Sequence, residues 1–208
     1  MGLFVTIEGI EASGKSTLVR ALGERLHTAG VDPVVTREPG GTEFGQQIRA
    51  LLLQRVPELA IEPLAEAYLV NAARAQHVAE LLRPMLAGGR IVLCDRFTDS
   101  TLAYQGYGRG LDLTVVRQLC EMATGSLSPD LTIVVDVPIE VSRARMRERH
   151  GVDRIEFEPP EFHARVRDGF LALAAQTPRM RTVDGTQPPQ AVLARAWDLI
   201  EPLLADRR

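Results

Sequence analysis

The chain has 208 residues, of which 45% are hydrophobic, and its formal net charge is −3. That length suits one large domain or two small ones, the apolar fraction suffices for a buried core, and the charge does not indicate a general nucleic-acid binder. No apolar run has the length of a membrane span. The two cysteines, Cys94 and Cys120, have neither a metal-site spacing nor a disulfide framework, which favours a reducing, cytoplasmic setting.

Short runs rich in β-branched residues alternate with longer segments of helical period. The runs lie at 3–9, 32–40, 90–96, 131–138 and 180–186, and most are continuously apolar, as in strands covered on both faces. Helical patterns follow the first run, extend over about 62–86, and close the chain at about 189–206. This order predicts an α/β fold with a doubly wound five-stranded parallel sheet flanked by helices, in a single domain spanning residues 1–208.

The first run leads into GIEASGKST, residues 9–17, which holds the only lysine of the chain. Gly9, Gly14, Lys15 and Ser16 fit the phosphate-loop spacing GxxxxGK[ST], in which curled backbone amides and a helix N-terminus bind phosphate. Lysine supplies a compact, mobile charge there, which the planar guanidinium of arginine does not replace. The apolar strand before the loop and the amphipathic helix after it favour a nucleotide site over an ordinary glycine turn.

A phosphate loop identifies a nucleotide and leaves the reaction open. A GTPase switch would need Asn-Lys-x-Asp, but the only asparagine, Asn71, is followed by Ala72. A motor or transporter-type ATPase would carry signature segments that we do not find. A small-molecule kinase is favoured; it needs a second pocket for the acceptor and a means of excluding water. A non-catalytic ATP-binding regulator stays an alternative.

Candidate residues for the acceptor pocket lie at the ends of the second and third runs and just beyond the third, at the rim where parallel sheets bind ligands, and on the long helix. They are Arg37, Pro39, Val70, Arg74, Asp95, Arg96, Ser100, Thr101, Tyr104 and Gln105. Arginine binds an oxyanion through two parallel hydrogen bonds, so Arg37 and Arg96 are the candidates for an acceptor phosphate. Asp136, at the end of the fourth run, is interpreted as part of a surface turn.

Arginines recur at 143, 145, 147 and 149, and they cannot all lie on one face of a helix. One interpretation is a solvated helix end, with arginines near its negative C-terminus. The other is a mobile lid over about 143–157, with Gly151 as a hinge, that brings arginines to the transferring phosphate.

The segments GIEASGKST, TREPGGT, NAARAQH, DRFTDSTLAYQG and VDRIE, in this order over nearly the whole chain, resemble the thymidylate kinase family. The resemblance implies a P-loop nucleoside monophosphate kinase fold and phosphoryl transfer from ATP to dTMP, giving dTDP, with Mg²⁺. It also implies a homodimer formed through helices that include the long central one. A kinase for another pyrimidine nucleotide or for a deoxynucleoside is the alternative within this class.

The resemblance implies roles on the phosphate side of the site. ATP phosphates would be bound by the loop residues Gly9, Ala12, Ser13, Gly14, Lys15, Ser16 and Thr17. Ser16 and Asp95 would hold Mg²⁺ or its waters, and Glu11 would lie near the acceptor sugar and the metal. Arg37 and Arg96 would bind the dTMP phosphate.

The resemblance also implies roles on the base side. Arg74 and Thr101 would recognise the thymine edge, and Gln105 would lie near the base. Tyr104 would press against the sugar and disfavour a 2′-hydroxyl. Where the family places a phenylalanine that stacks on thymine, this chain has Val70. Since stacking on a base contributes about 1–3 kcal/mol, we expect weaker dTMP binding, unless Tyr68 or Phe97 supplies the missing ring.

The family divides by the location of an extra catalytic arginine, either in the phosphate loop or in the lid. The loop position here is Ala12, so the arginine-rich lid resembles the bacterial type. The predicted catalytic residues are therefore Lys15, Glu11, Asp95, Arg96, Arg149 and Arg145. Positioning and charge neutralisation are expected to suffice, without a covalent intermediate or a catalytic histidine. His27, His77 and His150 are predicted on the surface.

Overall fold

The structure is a computed structural model that describes residues 2–54, 60–148 and 153–205. Its sheet is parallel, with the order β2-β3-β1-β4-β5. The strands are β1 (Leu3–Glu8), β2 (Val34–Arg37), β3 (Ile91–Asp95), β4 (Leu131–Asp136) and β5 (Met180–Asp184). All five strands coincide with the five predicted runs, and the strand order confirms the doubly wound α/β fold.

Helices connect the strands and cover both faces of the sheet. They are α1 (Lys15–Thr28), α2 (Glu43–Leu53), α3 (Pro63–His77), α4 (Arg83–Ala87), α5 (Thr98–Thr101), α6 (Leu113–Thr124), α7 (Ile139–Arg147), α8 (Pro160–Gln176) and α9 (Pro189–Ala205). A π-helical turn, Val78–Leu82, joins α3 to α4, and a second one, Leu102–Gly108, continues α5. The long helix predicted over 62–86 is therefore present, with a π-helical interruption. Within the described residues, no helix is both long and apolar enough to cross a membrane.

One face of the sheet packs against α1 and α9. The leucines spaced four apart on α1, among them Leu22 and Leu26, are completely buried against odd-numbered β1 residues such as Ile7. Trp197 and Ile200 of α9 complete this layer. The leucine spacing fixes the direction of α1, and with it the position of the phosphate loop that precedes the helix.

The opposite face carries the helices that form the rest of the site, and it mixes apolar and polar packing. Phe4 of β1 packs edge-to-face on Phe97, with ring centroids 5.0 Å apart. Asp99 of α5 is buried and receives two hydrogen bonds from the Arg179 guanidinium, at 2.7 and 2.9 Å, and one from Thr132 of β4. Because a paired buried carboxylate is costly to displace, α5 is held firmly to the sheet.

His77 contradicts the prediction of a surface histidine. Its ring is completely buried, with Nε2 2.8 Å from Thr36 Oγ1 and Nδ1 2.9 Å from Glu38 Oε1. The prediction was wrong because the buried face of α3 carries polar side chains whose partners come from β2 and the turn after it. His27 is exposed as predicted, and His150 lies outside the described residues.

Gly41, in the turn after β2, allows this close approach. Its φ of +78° is in the left-handed region, and a Cβ there would lie 2.5 Å from His77 Nε2 and 2.7 Å from Thr36 Oγ1. Any side chain would therefore separate the turn from α3. The second glycine of TREPGGT thus has a packing role beside the cleft.

Candidate active site

A cleft opens at the carboxyl ends of β1, β2 and β3, between the start of α1 and the buried face of α3. All the residues predicted on the acceptor side line it: Glu11, Arg37, Pro39, Val70, Arg74, Arg96, Ser100, Thr101, Tyr104 and Gln105. So do Ala12, Gly14, Lys15, Ser16, Thr17 and Asp95, whereas Gly9, Ser13 and Arg145 are not among its lining residues. The fold therefore brings segments more than 80 residues apart in the chain to one surface.

The phosphate loop curls because two of its glycines adopt positive φ angles. Gly9 has φ +138°, and a Cβ there would lie 2.4 Å from the Val135 carbonyl oxygen; Gly14 has φ +104° and precedes α1 directly. The side chain of Lys15 is buried, and its Nζ donates to the Ile10 carbonyl at 2.6 Å. Burial, assisted by the charge of Arg96, lowers the pKa of Lys15 to about 8. A phosphate anion beside the ammonium would favour its charged form.

Ser16 and Asp95 offer two hard oxygen ligands at the mouth of the cleft. The Ser16 hydroxyl donates to Asp95 Oδ2 at 2.7 Å, so the two predicted metal ligands are adjacent. No group of three or more histidine, cysteine or acidic side chains that could hold a metal occurs in the described ranges. Mg²⁺ commonly takes only one or two protein oxygens and fills its octahedron with phosphate oxygens and water. The residues present therefore fit Mg²⁺ bound together with a nucleotide.

Arg96 links the phosphate loop to the acceptor side. Its Nη1 donates to the Gly9 carbonyl at 2.8 Å and to Ser100 Oγ at 3.1 Å, and its Nη2 lies 3.1 Å from Glu11 Oε1. Its φ of +74° is unusual for a residue with a side chain. Such a backbone conformation persists only where surrounding contacts stabilise it. Together with these hydrogen bonds, it holds the Arg96 guanidinium in one place at the base of the cleft.

Glu11 is the carboxylate around which this part of the site is arranged. Its Oε1 accepts hydrogen bonds from Arg96 and from the Tyr104 hydroxyl. His163 of α8 is buried with its Nδ1 3.3 Å from Glu11 Oε2, but without hydrogen-bond geometry. Burial acts to raise the pKa of Glu11, and His163, Arg96 and Lys15 outweigh it and lower the pKa to about 2. Glu11 is therefore ionised throughout the neutral range.

Glu8, the last residue of β1, was not among the predicted site residues. Its buried carboxylate accepts hydrogen bonds from the Phe97 amide at 2.7 Å and from both the amide and the hydroxyl of Ser100. Burial and the nearby charge of Asp99 raise the pKa of Glu8 to about 7, despite the opposing charge of Arg96. Glu8 thus fixes the turn that carries Arg96. Its role depends on a partner 89 residues away, which spacing alone does not reveal.

Arg74 is fixed on the base side of the cleft by hydrogen bonds from all three of its nitrogens. Nε donates to Glu38 Oε2 at 2.7 Å, Nη1 to Asn71 Oδ1 at 2.8 Å, and Nη2 to Thr101 Oγ1 at 2.8 Å and to the Phe97 carbonyl at 3.1 Å. The side chain is 2% exposed. Glu38 belongs to the predicted TREPGGT segment, but its support of Arg74, and that of Asn71, was not predicted.

A second carboxylate, Glu66 of α3, joins the base side to the described part of the predicted lid segment. It accepts hydrogen bonds from Gln105, Arg109 and Arg154. Arg154 also donates from Nε to the Leu52 carbonyl at 2.7 Å, which attaches the VDRIE segment to the end of α2. The sequence analysis missed Glu66 and Arg109, although Arg154 belongs to the VDRIE segment.

Val70 lines the cleft. The two residues that were predicted to supply the missing stacking ring, Tyr68 and Phe97, lie in different places. Tyr68 is 56% exposed and does not line the cleft. Phe97 does line it, although its ring is buried in the core against Phe4. Of the two candidates, only Phe97 lines the cleft, and its ring is committed to the core packing.

The lid arginines lie in different environments. Arg145 of α7 packs behind the phosphate loop, with Nη2 3.0 Å from the Gly185 carbonyl and Nη1 3.4 Å from the carbonyls of Ala12 and Ser13. Arg143 and Arg147 are exposed. Arg149 and the proposed hinge Gly151 lie outside the described residues. Asp136 is partly exposed and ion-paired with Arg167.

Comparison with known proteins identifies the family to which the chain belongs. The family model described as thymidylate kinase matches residues 7–196. The chain belongs to the thymidylate kinase family. It is 48% identical to the thymidylate kinase of Desulfovibrio desulfuricans over 99% of this chain and 98% of that protein. It is 51% identical to the thymidylate kinase of a Synechococcus species over 97% and 96%, respectively. The crystal structure of thymidylate kinase from Ehrlichia chaffeensis superposes with a TM-score of 0.77 at 33% identity, covering 96% of this chain and 98% of that one.

These similarities confirm the family resemblance and the P-loop nucleoside monophosphate kinase fold. The match extends across the phosphate loop, the acceptor side and the lid segment, so the whole cleft belongs to the family's architecture.

The raised pKa of Glu8 makes a prediction about stability. Between the ordinary value of 4.5 and about 7 the folded protein binds the Glu8 proton more tightly than the unfolded chain. The stabilisation is therefore complete below pH 4.5 and is lost as pH rises through about 7, an effect of about 3 kcal/mol. Urea unfolding of the wild type and of Glu8→Gln at pH 5 and pH 8 measures it. The wild type should lose stability relative to the variant at pH 8; an equal difference at both pH values would contradict the assignment.

Proposed function

We propose that the chain transfers the γ-phosphoryl group of ATP to dTMP, giving dTDP. The observation that carries the proposal is a single cleft in which a phosphate loop with Lys15 faces a fixed cation, Arg96, and a base-side arginine, Arg74. A nucleotide triphosphate at the loop and a nucleoside monophosphate across the cleft would meet end to end. The family membership supports dTMP as the acceptor.

The acceptor phosphate is assigned to Arg37 and Arg96. Both line the cleft: Arg37 is the last residue of β2, and Arg96 directly follows the adjacent strand β3. Arg37 has an exposed side chain, whereas Arg96 is held by the loop and by Glu11. One exposed and one fixed guanidinium suit an anion that must enter and then be aligned.

The sugar is assigned to Tyr104 and Glu11. The ring of Tyr104 packs edge-on against Phe162 and Phe170, with centroids 6.2 and 6.1 Å apart, and its hydroxyl donates to Glu11. Because both ends of the ring are held, the ring cannot move aside to make room for an additional hydroxyl group. This supports selection against a ribose 2′-hydroxyl. The base is assigned to Val70, Arg74, Thr101 and Gln105, with Pro39 and Ser100 completing the wall.

Phosphoryl transfer spreads negative charge over the oxygens of the transferred group, and the protein neutralises it without a covalent intermediate. Lys15 and the loop amides supply positive charge on the loop side. Arg145 and Arg149, in the proposed lid over 143–157, are the candidate arginines, and Arg145 packs behind the loop against the carbonyls of Ala12, Ser13 and Gly185. Mg²⁺, held by Ser16 and Asp95, would neutralise phosphate charge when bound. We take residues 1–208 as one kinase domain, and the free, buried cysteines support a cytoplasmic location.

The lone lysine gives the first test. Lys15→Arg keeps the charge but replaces a slim ammonium by a planar guanidinium in a buried position, so kcat should fall about 100-fold or more. A coupled assay of ADP release measures it, and wild-type turnover should require dTMP. Arg20→Lys, on the exposed side of α1, is the matched control and should retain full activity.

Two outcomes would count against this assignment. Near-normal turnover of Lys15→Arg would remove the role given to the lysine. ATP binding by the wild type without dTMP-dependent turnover would favour the non-catalytic regulator, and turnover with other pyrimidine monophosphates would favour the alternative kinase.

The base side gives the second test. Val70→Phe should place a ring against thymine and tighten the dissociation constant of dTMP about tenfold, as one stacking contact predicts. Isothermal titration calorimetry with dTMP measures the change. Val35→Phe, on the exposed side of β2, is the control for added bulk outside the cleft. An unchanged dissociation constant in Val70→Phe would show that Val70 does not face the base.

We also propose that the chain forms a homodimer through α3 and α6. These helices pack side by side and expose large apolar side chains, namely Leu64 and Tyr68 on α3 and Val115 and Met122 on α6. Met122 is 82% exposed, which is costly for an isolated monomer. Sedimentation velocity should give a dimer for the wild type and a monomer for Met122→Glu. Val35→Glu is the control and should remain dimeric, and a wild-type monomer would refute the proposal.

A further inference from the structure

Glu66 occupies an unusual position, because it is 1% exposed yet lies between the base side of the cleft and the lid. Gln105 Nε2 donates to its Oε1 at 2.8 Å. Arg109 donates to both carboxylate oxygens at 3.1 Å, and Arg154 donates to Oε2. The number of hydrogen bonds to this buried carboxylate, from two arginines and one amide, indicates a role beyond the packing of α3.

The two arginines keep Glu66 ionised. Burial acts to raise the pKa of Glu66, but the hydrogen bonds and charge of Arg109, the Gln105 amide and the charge of Arg154 outweigh it and lower the pKa. An ionised carboxylate has no proton to donate and can only accept hydrogen bonds. Its neighbours must therefore present donors to it.

This requirement for donors fixes the orientation of the Gln105 side-chain amide. The amide has a donor end, Nε2, and an acceptor end, Oε1, and the two can exchange by a rotation of 180°. Beside ionised Glu66 only the orientation with Nε2 towards Glu66 forms a hydrogen bond. Gln105 lines the cleft, and no donor in residues 2–54, 60–148 or 153–205 bonds to Oε1. The acceptor end is therefore the end available to a ligand.

A fixed acceptor discriminates between pyrimidines by chemistry alone. Thymine and uracil carry a proton on N3, which an acceptor can bind. Cytosine has a lone pair at N3, which an acceptor oxygen repels. A site that pairs with the hydrogen-bonding groups of one base leaves those of the other base unpaired. This difference gives the strongest discrimination between the two bases.

We propose that Glu66 is a positioning residue that sets the orientation of the Gln105 amide and so makes the cleft select a pyrimidine with a protonated N3 over cytosine. The proposal rests on the proposed function, since it concerns the acceptor base of that reaction. In this proposal Glu66 acts on the base through Gln105.

The test is the ratio of kcat/KM for dTMP to kcat/KM for dCMP in the coupled assay. Glu66→Gln is nearly isosteric, but its amide can donate as well as accept, so both orientations of Gln105 become available. The ratio should fall by about tenfold or more. A ratio does not depend on the fraction of enzyme that is folded, so a general loss of stability does not imitate this result.

Two further variants make the test specific. Gln105→Met removes the amide, and in that background Glu66→Gln should leave the ratio unchanged, because the coupling acts through Gln105. Arg109→Gln removes one cation from Glu66 but leaves the carboxylate beside Gln105, so it should lower stability while the ratio stays within about twofold of wild type.

Glu66→Asp, which keeps the charge but shortens the reach to Gln105, serves if Glu66→Gln does not fold, and it should also lower the ratio.

The outcomes separate this proposal from the proposed function. A wild type that turns over dTMP, with an unchanged ratio in folded Glu66→Gln, overturns the role of Glu66 alone. A fall in the ratio that persists in the Gln105→Met background also overturns it, since the effect would then bypass the amide. A wild type without dTMP turnover would overturn the proposed function first.

Discussion

The hydrogen-bonded ion pair between Glu11 and Arg96 joins the two halves of the cleft. Glu11 belongs to the phosphate loop, and Arg96 follows β3, which lies beside β1 in the sheet. Their contact, together with the bond from Arg96 to the Gly9 carbonyl, sets the distance between the loop and the acceptor side. Phosphoryl transfer depends on that distance, because misplacement of the reactants by about 1 Å costs roughly 100-fold in rate.

Buried carboxylates provide most of the rigidity around this pair. Glu8 holds the turn that bears Arg96, Glu38 holds Arg74, and Glu66 holds Gln105. Each acts as an acceptor for donors from distant parts of the chain. Because a buried donor or acceptor that loses its partner is costly, these contacts resist displacement. Arg74 and the Gln105 amide are therefore fixed in the absence of a ligand, which would reduce the ordering cost of binding at this cleft.

The sequence predicted the parts of this site that depend on local spacing. The phosphate loop around Lys15 and the segment after β3 around Arg96 both follow apolar strands, and the parallel sheet brings strand ends together. The supporting carboxylate Glu66 and the buried His77 escaped prediction. Both lie on α3, where helical periodicity treats a polar side chain as solvent-facing, and their partners are far away in the chain. Non-local pairing of polar groups leaves no periodic signal.

The single lysine is consistent with this distribution of rigid and mobile groups. Arg96 and Arg74 are each held by several hydrogen bonds, which suits groups that must stay in place. A planar guanidinium loses little further freedom once it is bound in this way. Lys15 has a flexible stem and a compact ammonium bonded mainly to the Ile10 carbonyl. A group that must follow a phosphate from one nucleotide to the next needs that freedom, and in this chain the phosphate loop is the place that requires it.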